Sequence, residues 1–552
     1  MLVGSLILSF AISSFAQSNW PQGPGPNGDW SASGPMPPLE FSVRTGKNVM
    51  WKTPLPETGQ GGIAIHGNYV FVATMAPWDE GLRLSEEEAK VFKHATEGRS
   101  VVGKDIDAHC LDARTGEILW TKRITGHVPA IYSYPFSDAT SASPVTNGKL
   151  VWFTNGAGCV TCFTVDGEWV WQRRFLPTFE GPFNKQFEPF LIEDEFEGKS
   201  REVFVHMEPF QGPRGKDAPR WNYLVGLDAA TGEELWRSED ALTQYNAPTL
   251  QQRQDDWFIL HARGGPHAVP ERPVGLSRTS LVGANAGKSA TRFEDPRGNH
   301  EASLQTMAHD AEFAYWVLKE PRERIVLLDA QSLKEVAEVS LSKGVERRLR
   351  NPKTGEFETL SAHDLERAVF PARYSAIAAG GYLYFQCYAT AWGKPTVGPT
   401  YSFGRLNPKT KAVQYLEVPT GVTRSTDGDV FQWRTPQQAL ALNSKGVEVT
   451  GDDRSHWDGW DWIFNGSPTQ VNNRIYFTLA SGIVYVLDAE AQVFDEQSLL
   501  AVNDLGPAGK VWTANSISYA NGRLYHRTAA EIICIGIDSG NDAGADTANE
   551  TE

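Results

Sequence analysis

Apolar residues alternate with polar ones in short runs of four to six, and the runs end at recurring turn signals. Ala108-His-Cys-Leu111, Cys159-Val-Thr-Cys-Phe-Thr164 and Tyr223-Leu-Val-Gly-Leu227 have the period-two pattern of strands. They lead respectively into Asp112-Ala-Arg-Thr-Gly-Glu-Ile-Leu-Trp120, Val165-Asp-Gly-Glu-Trp-Val-Trp171 and Asp228-Ala-Ala-Thr-Gly-Glu-Glu-Leu-Trp236. Thr-Gly or Asp-Gly supplies a tight turn that tolerates positive φ. The unit is therefore strand, turn, strand, closing on a large aromatic. Worn copies follow at Leu328-Asp-Ala-Gln-Ser-Leu-Lys334, Leu406-Asn-Pro-Lys-Thr-Lys-Ala412 and Leu487-Asp-Ala-Glu-Ala491. Such self-similarity marks an array or propeller.

A second pattern opens each repeat: a small or Pro-containing start, a turn, then an aromatic-rich strand. Copies begin at Gly62, Ser143, Glu188, Ala247, Ser303, Ser375, Ser467 and Ser516. Each hairpin has one apolar face and cannot stand alone, and radial stacking of four-stranded sheets buries those faces. The expected fold is all-β, an eight-bladed β-propeller of four-stranded antiparallel blades spanning 48–538. Asn48-Val-Met-Trp-Lys-Thr53 is a lone strand expected to complete the last blade and remove its open edge. Insertions are expected at about 79–104, 264–299, 342–372 and 419–464. A capping-box start at Ser85 reads as a short helix through Ala95, and Ser361-Ala-His-Asp364 reads as the opening of another.

Residues 1–16 read as a signal peptide cleaved near Ala16, although no Lys or Arg precedes the apolar run. Residues 17–47 read as an irregular arm, and 539–552 as a disordered acidic tail. The expected location is periplasmic or secreted, with no transmembrane helix in the mature chain. The formal charge of −16 in 552 residues argues against a nucleic-acid binder. Five cysteines, an odd count, do not make a disulfide framework. Cys159 and Cys162 stand three apart on a strand and face opposite sides, so they read as buried hydrophobes rather than a metal or redox pair.

With these motifs assembled, the chain resembles the PQQ-like (quinoprotein-type) β-propeller repeat proteins of the secreted bacterial type. The resemblance rests on Asp-Ala-Xaa-Thr-Gly-Glu-Xaa-Leu-Trp, on the Ser-Xaa-Pro-type openings, and on Asn19-Trp-Pro-Gln22 and Gly25-Pro-Asn-Gly28 leading to Val49-Met-Trp-Lys52. It implies structural docking by Trp51, Trp120, Trp171 and Trp236, each packing on the backbone of the next sheet, and a weaker fit where Val339 and Leu416 replace Trp. The family contains both PQQ-dependent alcohol dehydrogenases and cofactor-free scaffolds. The adjacent Cys-Cys pair that commonly covers the quinone in such dehydrogenases is absent, and Asp427-Gly-Asp429 is too short for a calcium loop. The favoured reading is a cofactor-free binding or protein-interaction scaffold, monomeric, with an envelope protein, peptide or glycan as partner. The alternative is a PQQ- and Ca²⁺-dependent dehydrogenase oxidising an alcohol or sugar. No catalytic residue is assigned, and hydrolase motifs are missing.

The repeat alignment yields one sharper candidate. Two residues before each Ser-Pro register stand Gln60, Ser141, Gln186, Tyr245, Glu301, Arg373, Asn465 and Ala514, with Lys185 and His300 one residue earlier. Seven of the eight are polar, and inner-strand starts converge on one channel mouth. The expected binding ring is Gln60, Ser141, Lys185, Gln186, Tyr245, His300, Glu301, Arg373 and Asn465, flanked by the aromatic loop carrying Trp457, Trp460 and Trp462. Wet channel mouths are polar in any case, and those Trp rings equally suit packing of the insertion.

Overall fold

The computed structural model describes residues 18–77, 101–132, 138–177, 188–196, 198–211, 222–242, 246–253, 256–263, 274–297, 305–318, 324–365, 371–372, 375–387, 390–391, 394–395, 401–425, 428–433, 441–446 and 466–537. The Asp-Xaa-Xaa-Thr-Gly turns explain themselves in it. Asp112 Oδ1 accepts the amides of Arg114 and Thr115 at 2.7 and 3.1 Å, and Asp228 Oδ1 does the same for Ala230 and Thr231. Gly116 and Gly232 then take φ of 75° each, where a side chain would be strained. In the worn copies Leu333 and Lys411 occupy this left-handed position, at 53° and 64°.

These turns organise eight radial sheets. Blade 1 is Ala64–His66, Tyr69–Met75, Val101–Asp112 and Ile118–Tyr132; blade 2 is Val145–Thr146, Leu150–Asn155, Cys159–Thr164 and Trp169–Arg174. Blade 3 is Phe190–Phe196, Lys199–Pro209, Asn222–Asp228 and Glu234–Leu242; blade 4 is Thr249–Arg253, Asp256–Arg263, Gly275–Ser280 and Ser289–Glu294. Blade 5 has Phe313–Leu318, Arg324–Asp329 and Glu335–Ser340. Its inner position is held by residues 306–309 through single bridges to Ala247 and Ala314. A tight Ala308 N to Thr306 O bond kinks this segment out of a regular ladder.

Blade 6 is Ile377–Ala379, Tyr382–Gln386, Ser402–Leu406 and Val413–Glu417. Val345–Arg350 adds parallel to its outer strand, and Phe357–His363 lies beyond that. Blade 7 is Thr469–Val471, Arg474–Thr478, Ile483–Asp488 and Leu499–Asp504; Ser31–Ala32 joins its inner edge. Blade 8 is Ser518–Ala520, Arg523–Arg527, Glu531–Ile535 and, as its outermost strand, Val49–Pro54 from the other end of the chain. The fold is thus an all-β, eight-bladed propeller. Among the described residues there is no α-helix, and no helix long and apolar enough to cross a membrane, which says nothing of a β-barrel.

Two expectations need correction. Ser361–His363 lies in the strand Phe357–His363 rather than opening a helix, because pairing with Val345–Arg350 outweighs the local capping pattern. The stretch 264–299 is not simply an insertion, since it contributes the two outer strands of blade 4. The helix expected at Ser85–Ala95 lies outside the described residues.

Apolar side chains fill the wedges between blades. Among the tryptophans at sheet ends, Trp51 and Trp171 are buried and Trp120 and Trp236 partly so. The Trp51 indole donates to Ala113 O at 3.1 Å, Trp120 to Val165 O at 2.9 Å and Trp171 to Ala229 O at 3.0 Å. A Cβ added at Gly116, Gly167 or Gly232 would meet the ring of Trp51, Trp120 or Trp171 at 2.4, 3.1 and 2.6 Å. Trp236 lies against Gly287 with its indole nitrogen unbonded. All five cysteines are buried and free; Cys159 packs in the wedge between blades 1 and 2, Cys162 in the one between blades 2 and 3.

Because each blade is an antiparallel meander, its two hairpins share one side of the disc, here the turn side. Links between second and third strands, and between blades, share the other, the loop side.

Candidate functional site

Inner strands begin on the loop side, and among the described residues the segments leading into them carry polar groups in a hydrogen-bonded belt, or rim. At blade 1 the chain runs Glu57-Thr-Gly-Gln-Gly-Gly62. The Gln60 and Gly61 amides donate to Thr140 Oγ1 at 2.9 and 3.3 Å, and Gly62 N donates to Ser143 Oγ at 3.0 Å. A Cβ at Gly61 would stand 2.1 Å from Thr140 O, so the glycine permits this close approach of blades 1 and 2. Thr140 Oγ1 in turn donates to Asp138, which is fully buried. Arg527, also fully buried, donates from blade 8 to Gly61 O at 2.8 Å. Its guanidinium occupies the place a Cβ on Gly59 would take. The belt continues with Asn246 donating to Gln305 O at 2.9 Å, and with Thr306 and Ser467 hydroxyls 3.0 Å apart.

Of the expected ring, the structure places Gln60 and Ser141 in this rim, on neighbouring blades and both buried. Lys185, Gln186, Tyr245, His300, Glu301, Arg373 and Asn465 lie outside the described residues, as do Trp457, Trp460 and Trp462. Gln60 stands out. Only 6% of it is exposed, yet neither amide atom of its side chain has a hydrogen-bond partner. A buried amide without partners costs roughly 1–3 kcal/mol, so such a group calls for a reason.

Sequence reading missed Glu57, Asp138, Thr140 and Arg527. Arg527 carried a signal: a charged residue ends the strand that follows the Asn521-Gly522 turn.

Chemically the described rim is a network of buried hydrogen-bonding groups. The Glu57 carboxylate is committed to Thr58 N at 2.8 Å and to Ser444 N and Oγ at 3.1 and 2.6 Å. Asp138 accepts both the amide and the hydroxyl of Thr140 at 2.7 Å. Among the described residues no group of three His, Cys, Asp or Glu is placed to hold a metal. Nor do the cysteines offer nucleophiles: burial pushes the thiols of Cys110, Cys162 and Cys534 up to about 12 and that of Cys159 to about 11.

Two cavities lie elsewhere. A broad open groove of about 680 Å³ between blades 3 and 4 includes Asp194, but that carboxylate is tied to Arg201 and Gly283 N. A cavity of about 60 Å³ sits at the axis.

Residues 104–272, from the third strand of blade 1 to the second of blade 4, match the family model described as outer membrane protein assembly factor BamB. No curated protein matches the chain. Similar solved structures include the following three, all at low identity. BamB from Moraxella catarrhalis is 14% identical over 72% of this chain and 95% of that one, with a TM-score of 0.31. Quinohemoprotein alcohol dehydrogenase from Comamonas testosteroni is 12% identical over 94% and 81%, with a TM-score of 0.46. A europium-containing methanol dehydrogenase is 10% identical over 92% and 89%, with a TM-score of 0.40.

Proposed function

We propose that this chain, a PQQ-like β-propeller, acts outside the cytoplasm as a cofactor-free binding scaffold whose loop-side rim receives a peptide or glycan segment of an envelope partner. The observation that carries the reading is the Gln60 side chain, a buried donor and acceptor side by side with neither used. A backbone amide or an acetamido group offers the matching acceptor and donor. The matched family model, named for an assembly factor, favours a protein partner. The wider ring from Lys185 and Gln186 to His300, Glu301, Arg373 and Asn465 would complete the site, with Trp457, Trp460 and Trp462 as aromatic anchors beside it.

Gln60→Leu separates binding from folding. The substitution removes two unsatisfied atoms from a buried position, so the thermal midpoint is expected to hold or rise. Capture of the partner is expected to fall at least about tenfold, the equivalent of one lost hydrogen-bonded amide. A lower midpoint with capture intact would show that Gln60 is structural.

The second reading, a PQQ- and Ca²⁺-dependent dehydrogenase, draws on the quinoprotein side of the resemblance. Incubating the purified protein with PQQ and Ca²⁺ distinguishes the two. The scaffold reading expects no quinone absorbance to remain after gel filtration and no dye reduction with alcohols or sugars. Retained quinone together with turnover would overturn it.

A further inference from the structure

The arm before the first propeller strand does not hang free. Trp20 exchanges two backbone hydrogen bonds with Ile65 of blade 1, at 2.9 and 2.7 Å. Pro21 O then accepts from Thr146 N of blade 2 at 2.8 Å, and Gln22 Oε1 accepts from Leu191 N of blade 3 at 2.9 Å. Gly28 O accepts from Leu250 N of blade 4 at 2.9 Å. Trp30 O and Ala32 O accept from Gln470 N and Asn472 N of blade 7, at 2.8 and 3.0 Å, and Pro35 O accepts from Tyr519 Oη of blade 8 at 2.7 Å. Six of the eight blades are thus contacted in ring order by fewer than twenty residues.

All these partners lie on the first strand of a blade or at its hairpin, where a propeller leaves its inner backbone edge facing the channel. Unpaired amides there would need water. The arm supplies carbonyls instead. Its composition follows from its path. Gly25 at φ 79° lies under the Trp20 ring, where a Cβ would stand 2.7 Å away, and Gly28 at φ 71° presses on Leu250, where a Cβ would stand 2.6 Å away. Trp20 itself is fully buried. Toward blades 5 and 6, where no arm hydrogen bond reaches among the described residues, the 60 Å³ axial cavity remains, walled by Asp29, Ser31, Thr306, His309 and Gln470. That room holds a few waters and nothing larger.

We propose that residues 18–35 are a built-in stopper: the arm occupies the turn-side mouth of the channel as an intramolecular peptide ligand and makes the channel blind at that end. This holds whatever the loop-side rim binds.

Hydrogen exchange tests it in the full-length protein, read at the peptides containing Ile65, Thr146, Leu250 and Gln470. The intact chain is expected to protect all four. Gly28→Val, which forces a branched side chain into Leu250 at a positive φ, is expected to speed their exchange by about tenfold or more while the blade interiors stay protected. His309→Cys in the same background reads access from the turn side directly, because the native cysteines are buried. A charged methanethiosulfonate reagent is expected to modify it much faster when Gly28→Val is present. Trp20→Ala provides a second dislodging variant should Gly28→Val fold poorly. Unchanged exchange and unchanged labelling in the folded variant would overturn the proposal; so would global loss of protection in both, which would make the arm part of the ring's core.

Discussion

Trp171→Ala is expected to lower the unfolding free energy by about 3–5 kcal/mol, the range for deleting a buried aromatic. Trp171 is 7% exposed, donates its indole hydrogen to Ala229 O of the next blade, and lies flat on Gly232. Removing it opens a void between blades 2 and 3 and leaves a buried carbonyl with one partner fewer. The same substitution at Trp236 is the comparison. That ring is partly exposed and its nitrogen bonds nothing, so a loss of only about 1 kcal/mol is expected. Gly232→Ala adds a mechanistic check. Its Cβ would collide with the Trp171 ring, so its cost should shrink, leaving the positive-φ strain, once Trp171→Ala is already present. Denaturant titrations of the single and double variants give all these values. Equal losses at 171 and 236 would show that the interblade contact of Trp171 has no special weight.

Acid is expected to destabilise the protein well above the ordinary carboxylate range, between about pH 6.5 and pH 4. Burial holds His109, His261 and His526 down to about 4 each. For His109 the Asp107 carboxylate pulls upward and Arg527 pushes down; for His261 Asp240 opposes and Arg263 reinforces. The neutral rings are well matched to their sites. His261 Nε2 meets the Thr279 hydroxyl at 2.9 Å, His526 Nδ1 faces Arg527 O at 2.9 Å, and His109 lies between the hydroxyls of Thr74 and Thr121. As pH falls below 6.5 the unfolded chain takes up protons that the folded chain refuses, so stability falls with pH and the loss is complete once the folded pKa is passed. A shift of this size corresponds to roughly 3 kcal/mol per histidine when fully expressed. Asp240, held at about 2 chiefly by its Arg292, Ser277 and Ser289 hydrogen bonds against the cost of burial, extends the loss below pH 4. Thermal midpoints measured from pH 8 to pH 4 should drop steeply, and His261→Gln should flatten the curve. A midpoint constant down to pH 4.5 would contradict this.

The blades were legible because their turns are chemically specific. Asp-Xaa-Xaa-Thr-Gly fixes both an Asx hydrogen-bond pattern and a positive φ, and few other structures need both. Blade 4 hid its outer half because the turn there is Gly283-Ala-Asn-Ala-Gly287, without Thr-Gly or a closing Trp. The extra strand Val345–Arg350 was invisible for a different reason. Its Glu346-Arg-Arg-Leu-Arg350 has no apolar alternation, because its side chains are held by ions and rings: Arg348 pairs with Glu496, and Arg350 stacks on Trp433. The rim was legible as a polar register at Gln60 and Ser141, since pattern shows which residues begin inner strands. Pattern does not show who crosses to meet them, and so Arg527 reaching Gly61, and the arm reaching six blades, came only from the structure.

Val49–Pro54 pairs with Glu531–Ile535, strands that stand at opposite ends of the propeller sequence. Contacts this remote in sequence carry the largest loop-closure cost and slow the final step of folding. Until that step the ring is an open arc with two raw edges, the kind of exposed surface that invites misassembly. A circular permutant that links the two ends of the propeller and opens the chain between blades would make every blade from contiguous sequence, and that rearrangement should fold faster to the same disc.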